Sequence, residues 1–162
     1  MAVFVLLYLS RLASYLLFHS VAELFAIVIS TCVFLILWNS RESIDNDYLI
    51  FLGVASLAIA AIDTGHLLTY KGMGVFPNVP ADVATQLWIA GRALQAFGLL
   101  LAPAFLTRRL DIRLLATGWT LSVALTFAAI FWWRIFPSCL GDTGLTVFKL
   151  ASDYVISVMF IL

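Results

Sequence analysis

Four pairs of polar residues interrupt otherwise apolar runs: His19 with Glu23, Asp63 with His66, Arg92 with Gln95, and Lys149 with Asp153. Spaced by three or four positions, the members of each pair share one face of a helix. Such faces can do one of three things. They can neutralise one another in a salt-bridge network that fixes helix order, with Glu23, Asp63 and Asp153 set against Arg92 and Lys149. They can bind a small ligand, Arg92 or Lys149 meeting an anion and the carboxylates a cation. Or His19 and His66 can hold a metal centre, as the paired axial ligands of a haem or with Glu23 and Asp63 around a divalent ion. Buried ion pairs seldom add net stability over apolar packing, so a network kept for stability alone is the least economical of the three.

The elements that position these residues follow from composition. Of the 162 residues, 64% are hydrophobic and only 11% charged, and mean hydropathy is +1.08. A soluble domain has about 45–50% apolar and about 25% charged residues. The chain therefore reads as an all-α, multi-pass transmembrane bundle whose partner is the lipid bilayer. Net charge is zero and no basic patch interleaves with aromatics, which excludes nucleic acid. No catalytic serine, cysteine or phosphate-loop motif is present, so enzymatic activity is not expected. Cys32 lies deep in an apolar run and Cys139 in a loop bounded by proline and glycine, which argues against a bond between them.

A span needs about 20 apolar residues. Residues 2–16 fall short and read as a short N-terminal apolar helix ending near Arg11. Five long spans follow, over residues 17–38, 49–70, 87–107, 114–136 and from 145 onward. A polar turn occupies 39–48, a longer loop 71–86, a basic turn 108–113 and a further loop 137–144. Pro103 should bend the third span near its far end. Trp88, Trp132 and Trp133 read as interfacial anchors, and Gly72 and Gly74 as turn residues. The last span is still apolar at Leu162, an ending expected of a chain truncated at its C-terminus, with the N-terminus open to the same reading.

Arg41, Arg108, Arg109 and Arg113 lie in the first and third inter-span turns, against Lys71 and Arg134 on the other side. The positive-inside rule places those two turns in the cytoplasm. At about 1.5 Å per residue, Glu23, Asp63, Arg92, Gln95, Lys149 and Asp153 then fall roughly 6–12 Å below the outer boundary, with His19 and His66 slightly shallower. Lipid cannot solvate such faces. They are expected to converge in one polar chamber in the outer half of the bundle. A transport path is disfavoured, because no polar residue continues the route through the cytoplasmic half.

Several stretches carry a family resemblance: FHSVAELF (18–25), WNSR (38–41), DTGH (63–66), YKGMGVFP (70–77), QLWIA with Arg92, LAP (101–103), GLT with Phe148-Lys149, and DYV (153–155). In this order, over nearly the whole chain, they resemble the third family of bacterial membrane-associated sensor (MASE) domains. The resemblance implies an input module of the bacterial inner membrane, set ahead of a cytoplasmic histidine kinase or diguanylate cyclase domain in the same polypeptide and compatible with a homodimer. It also implies more helices than this chain contains. Two departures bear on the site. Gln95 stands where an acidic residue is expected, and Thr64-Gly65 replaces bulkier residues, which would open room beside Asp63 and His66. The expectation is a sensor whose pocket is built from His19, Glu23, Asp63, His66, Arg92, Gln95, Lys149 and Asp153. The alternatives are a haem- or metal-binding redox protein using His19 and His66, and a transporter fragment.

Overall fold

A computed structural model describes residues 2–142 and 144–162. The fold is all-α apart from one small hairpin. Helix α1 (Ala2–Ala13) passes through an extended Ser14 into α2 (Tyr15–Asn39). Helix α3 (Asp47–Thr69) begins where the Asn46 side chain accepts the backbone N–H groups of Tyr48 and Leu49, satisfying two donors that the first turn leaves free. Helix α4 (Ala81–Leu101) runs on into a 3₁₀ segment, Ala102–Leu106. Helix α5 (Ile112–Phe127) is capped by Asp111 and continues as a π segment, Ala128–Trp132. Strands β1 (Leu140–Gly141) and β2 (Gly144–Leu145) pair antiparallel, and α6 (Val147–Ile161) is capped by Thr146.

Two expectations change. Among the described residues four helices, against the five expected, are long and apolar enough to cross a membrane: α2, α3, α4 with its 3₁₀ extension, and α5 with its π extension. Helix α6 covers 15 residues and is still helical one residue before the sequence stops at Leu162. The loop before α4 is also shorter than expected, because the helix begins at Ala81 rather than Leu87. Pro80 sets its start, and Asp82 sits in the first turn, where a carboxylate suits the helix dipole. Pro103 does mark a change in α4: the chain tightens from α to 3₁₀ geometry at Ala102, as loss of a backbone donor requires.

Helix α3 is the centre of the bundle. It packs on α2, α4 and α5, while α6 packs on α4. Its close approaches depend on small residues. A Cβ at Gly53 would sit 3.0 Å from Leu37 of α2, and one at Gly65 would sit 2.7 Å from the Phe127 ring of α5. The space that Thr64-Gly65 was expected to open beside Asp63 and His66 is therefore filled by Phe127. Helix α2, by contrast, buries no residue fully although it is the most apolar of the four spans, as a helix facing lipid should be.

Candidate functional site

The polar pairs lie on the first turns of α2 and α6, the last turns of α3 and the middle of α4. Asp63 and His66 are almost fully buried, at 2% and 4% exposure. The Asp63 carboxylate accepts both its hydrogen bonds from Nη2 of Arg92, at 2.6 Å to each oxygen. Gly91 lets α4 come close to α3 here, since a Cβ there would lie 3.2 Å from Ile62 Cγ2. Nε of the same guanidinium is buried with no partner among the described residues, and so is Oε1 of Gln95 one turn further along α4.

Beside this pair stand His19, Glu23 and His66. One ligand-type atom from each lies within 4.8 Å of the others. The two imidazoles meet edge to face, centroids 5.4 Å apart at 81°, and Tyr70 at the end of α3 lies over His19 with centroids 3.8 Å apart. His66 is oriented by α4: its Nδ1 is 2.7 Å from the Ala84 carbonyl oxygen. The turn after α3 covers the α2 side. Met73 accepts a hydrogen bond from Ser20, and Gly72, at φ +100°, lies against Leu16. Those contacts flank His19 on both sides.

Lys149 and Asp153 pair with each other instead. Nζ of Lys149 donates to both Asp153 oxygens at 2.7 Å and sits 4.2 Å from the centre of the Trp88 ring. Among the described residues, no hydrogen bond or ion pair joins them to the α2–α3–α4 group. Two groupings thus stand where one chamber was expected. An i,i+4 pair of opposite charge can close on itself, and this one does. Trp88 also departs from the role of interfacial anchor: it packs at the α4–α6 junction near Ile89, Ala96 and Cys139. Trp132 and Trp133 are exposed, as an anchor would be.

The sequence reading passed over Asp82 and Gln86. Asp82 accepts the backbone N–H groups of Cys139 and Leu140 at 2.9 and 2.8 Å, and Gln86 donates to the Phe136 and Pro137 carbonyls. Together they hold the loop ahead of α6 on the start of α4. Proline followed by an acidic residue is a helix-start signal that could have found Asp82. Cys139 is fully buried beneath that loop; burial first, then the Asp82 carboxylate, pushes its thiol up to about 11. Both cysteines are free thiols.

The haem alternative does not fit. Axial imidazoles lie on opposite faces of a flat macrocycle, but His19 and His66 touch edge to face, and Tyr70 covers the other side of His19. No slot is left between the rings.

Residues 10–162 match the membrane-associated sensor domain family, MASE3, and the chain belongs to that family. No curated protein and no solved structure matches the chain.

Proposed function

We propose that the chain is the input module of a bacterial signalling protein of the inner membrane. It acts without catalysis of its own and drives an output domain of the histidine kinase or diguanylate cyclase type in the same polypeptide. A small ligand reaches the site formed by α2, α3 and α4 from the outer leaflet. The observation that carries this reading is the set of buried, unpartnered polar atoms on His19, His66, Arg92 and Gln95. Each such atom costs about 1–3 kcal/mol when left unmade, and a bundle selected for stability alone would pair or replace them. A ligand that satisfies them recovers that cost only when bound.

Binding there contacts three helices at once. Ligand affinity that differs between two helix packings shifts their populations, and that shift is the signal. The α-to-3₁₀ change at Ala102 offers a place for α4 to bend. The reading is tested by coupling the chain to its output domain and comparing Arg92→Leu with Arg134→Leu, which replaces an exposed arginine outside the site. Arg92→Leu should abolish the response to stimulus while Arg134→Leu preserves it. Equal responses from the two would overturn the proposal.

A further inference from the structure

Three groups able to donate an electron pair meet at the site, and geometry fixes the free pair on one of them. A carbonyl oxygen only accepts, so the 2.7 Å contact between His66 Nδ1 and the Ala84 carbonyl fixes the proton on Nδ1. In the neutral ring the lone pair is then left on Nε2. That Nε2 is buried without a partner among the described residues, and so is Nε2 of His19. The third group is the half-buried Glu23 carboxylate, with an oxygen within 4.8 Å of a nitrogen of each ring.

Charge points the same way. Arg92 is taken by Asp63 and Lys149 by Asp153, whereas Glu23 has neither an ion pair nor a hydrogen bond among the described residues. Two imidazole rings and a carboxylate with no cationic partner among the described residues thus meet at one point. Their complement is a cation with affinity for nitrogen.

We propose that His19, Glu23 and His66 bind a divalent transition metal ion through Nε2 of each histidine and a Glu23 oxygen. This deepens the sensor reading by making the metal the sensed ligand, and it rests on that reading. Two imidazoles and one carboxylate suit zinc and its first-row neighbours rather than calcium or magnesium, which prefer all-oxygen shells. The hydrogen bond from His66 to Ala84 is the outer-shell contact that metal-bound histidines require to fix tautomer and ring angle. His19 and Glu23 are one turn apart on α2, so two ligands come from one face of that helix and the third from α3.

The geometry also supplies a movement. Ligand atoms about 2.0–2.1 Å from a tetrahedral zinc lie about 3.3 Å from one another, against a present spread of up to 4.8 Å. Loading the site draws α2 toward α3 by about an ångström at this end. Through Ala84, the same contraction tugs on the start of α4.

The test is a titration of the purified chain, in lipid nanodiscs after chelator treatment, with Co²⁺ alone and then with competing Zn²⁺. One equivalent should bind, with ligand-field bands in the visible spectrum that zinc abolishes. His19→Gln, Glu23→Gln and His66→Gln should each weaken binding by roughly a hundredfold or more, given that outer-shell losses alone cost 10–100-fold. Lys149→Met should bind like the parent. Gln keeps a polar group in each buried slot, and helix content measured by circular dichroism verifies that each variant is folded. A parent that takes up no stoichiometric cobalt, or binding that survives His19→Gln with His66→Gln, would overturn the metal site. The sensor reading fails separately, in the coupled assay with Arg92→Leu.

Discussion

The α2–α3–α4 group and the Lys149–Asp153 pair have the same ingredients: acid, base and an aromatic ring, on helix faces. They differ in who pairs with whom. Lys149 and Asp153 sit on the same helix, four residues apart, and saturate each other over Trp88. Arg92 must reach from α4 to Asp63 on α3, and around that crossing atoms of Arg92, Gln95, His19 and His66 have no partner among the described residues. A self-closed pair is complete and reports nothing about its neighbours. A pair that ties two helices together is sensitive to how they are packed, and the unpartnered atoms around it are available to a ligand.

Breaking each pair measures the difference. Arg92→Leu strands the Asp63 carboxylate, whose side chain is only 3% exposed. Removing one member of a buried pair costs about 3–5 kcal/mol, readable as a lower SDS midpoint in unfolding titrations. The double variant Asp63→Leu with Arg92→Leu should regain most of that loss, since a buried pair adds little over apolar packing. No recovery in the double variant would mean that the arginine packs rather than pairs.

Next in size is Asp82→Ala. It removes an ionised acceptor of two backbone N–H groups and should cost about 2 kcal/mol, while freeing the loop that covers Cys139. With its thiol raised to about 11, Cys139 in a Cys32→Ala background is roughly one part in a thousand thiolate at pH 8, against about a quarter for an ordinary thiol. Alkylation by iodoacetamide should therefore be slow at pH 8, rise about tenfold per pH unit toward pH 11, and speed up at fixed pH in Asp82→Ala. Reaction at the ordinary rate in the parent would show that the loop is not held. Lys149→Met comes third, at about 1 kcal/mol. The Asp153 side chain is 35% exposed, so the carboxylate left behind keeps contact with solvent.

Hydropathy and the spacing of polar residues in the sequence were sufficient for the helices, their order and the helix faces that carry the polar pairs. Partner choice was not legible. Periodicity places Lys149 and Asp153 on one face, but only the packing of α6 against α4 decides that they close on each other over Trp88. Gly65 looked like added space, and only the position of Phe127 on another helix reveals it as a contact. The start of α6 was legible to within two residues: Thr146 caps it, against an expected start at 145. Asp82 was overlooked because proline and glycine nearby read as loop, although the acid two residues after Pro80 is itself a sign of a helix beginning.

The smallest effect belongs to the opposite end of the bundle, and it tests whether burial, rather than charge, separates the two groups. Nη1 of Arg109 donates to Asp45 at 2.9 Å, a bond as short as many inside the protein, but the two side chains are 84% and 87% exposed. The hydrogen bond to Asp45 raises the Arg109 pKa further above an already high value, so the guanidinium is charged at every accessible pH with or without its partner. Water replaces each member as soon as the other leaves. Arg109→Gln should therefore leave the unfolding midpoint unchanged, in low salt and in high salt alike, even though it breaks an ion pair between two turns. The neighbouring bond from the Leu110 N–H to Asp47 holds the same turns together through the backbone and survives the substitution. A drop approaching that of Arg92→Leu would mean that tying turns together is what matters. The contrast between a buried crossing and a solvated one would then lose its basis.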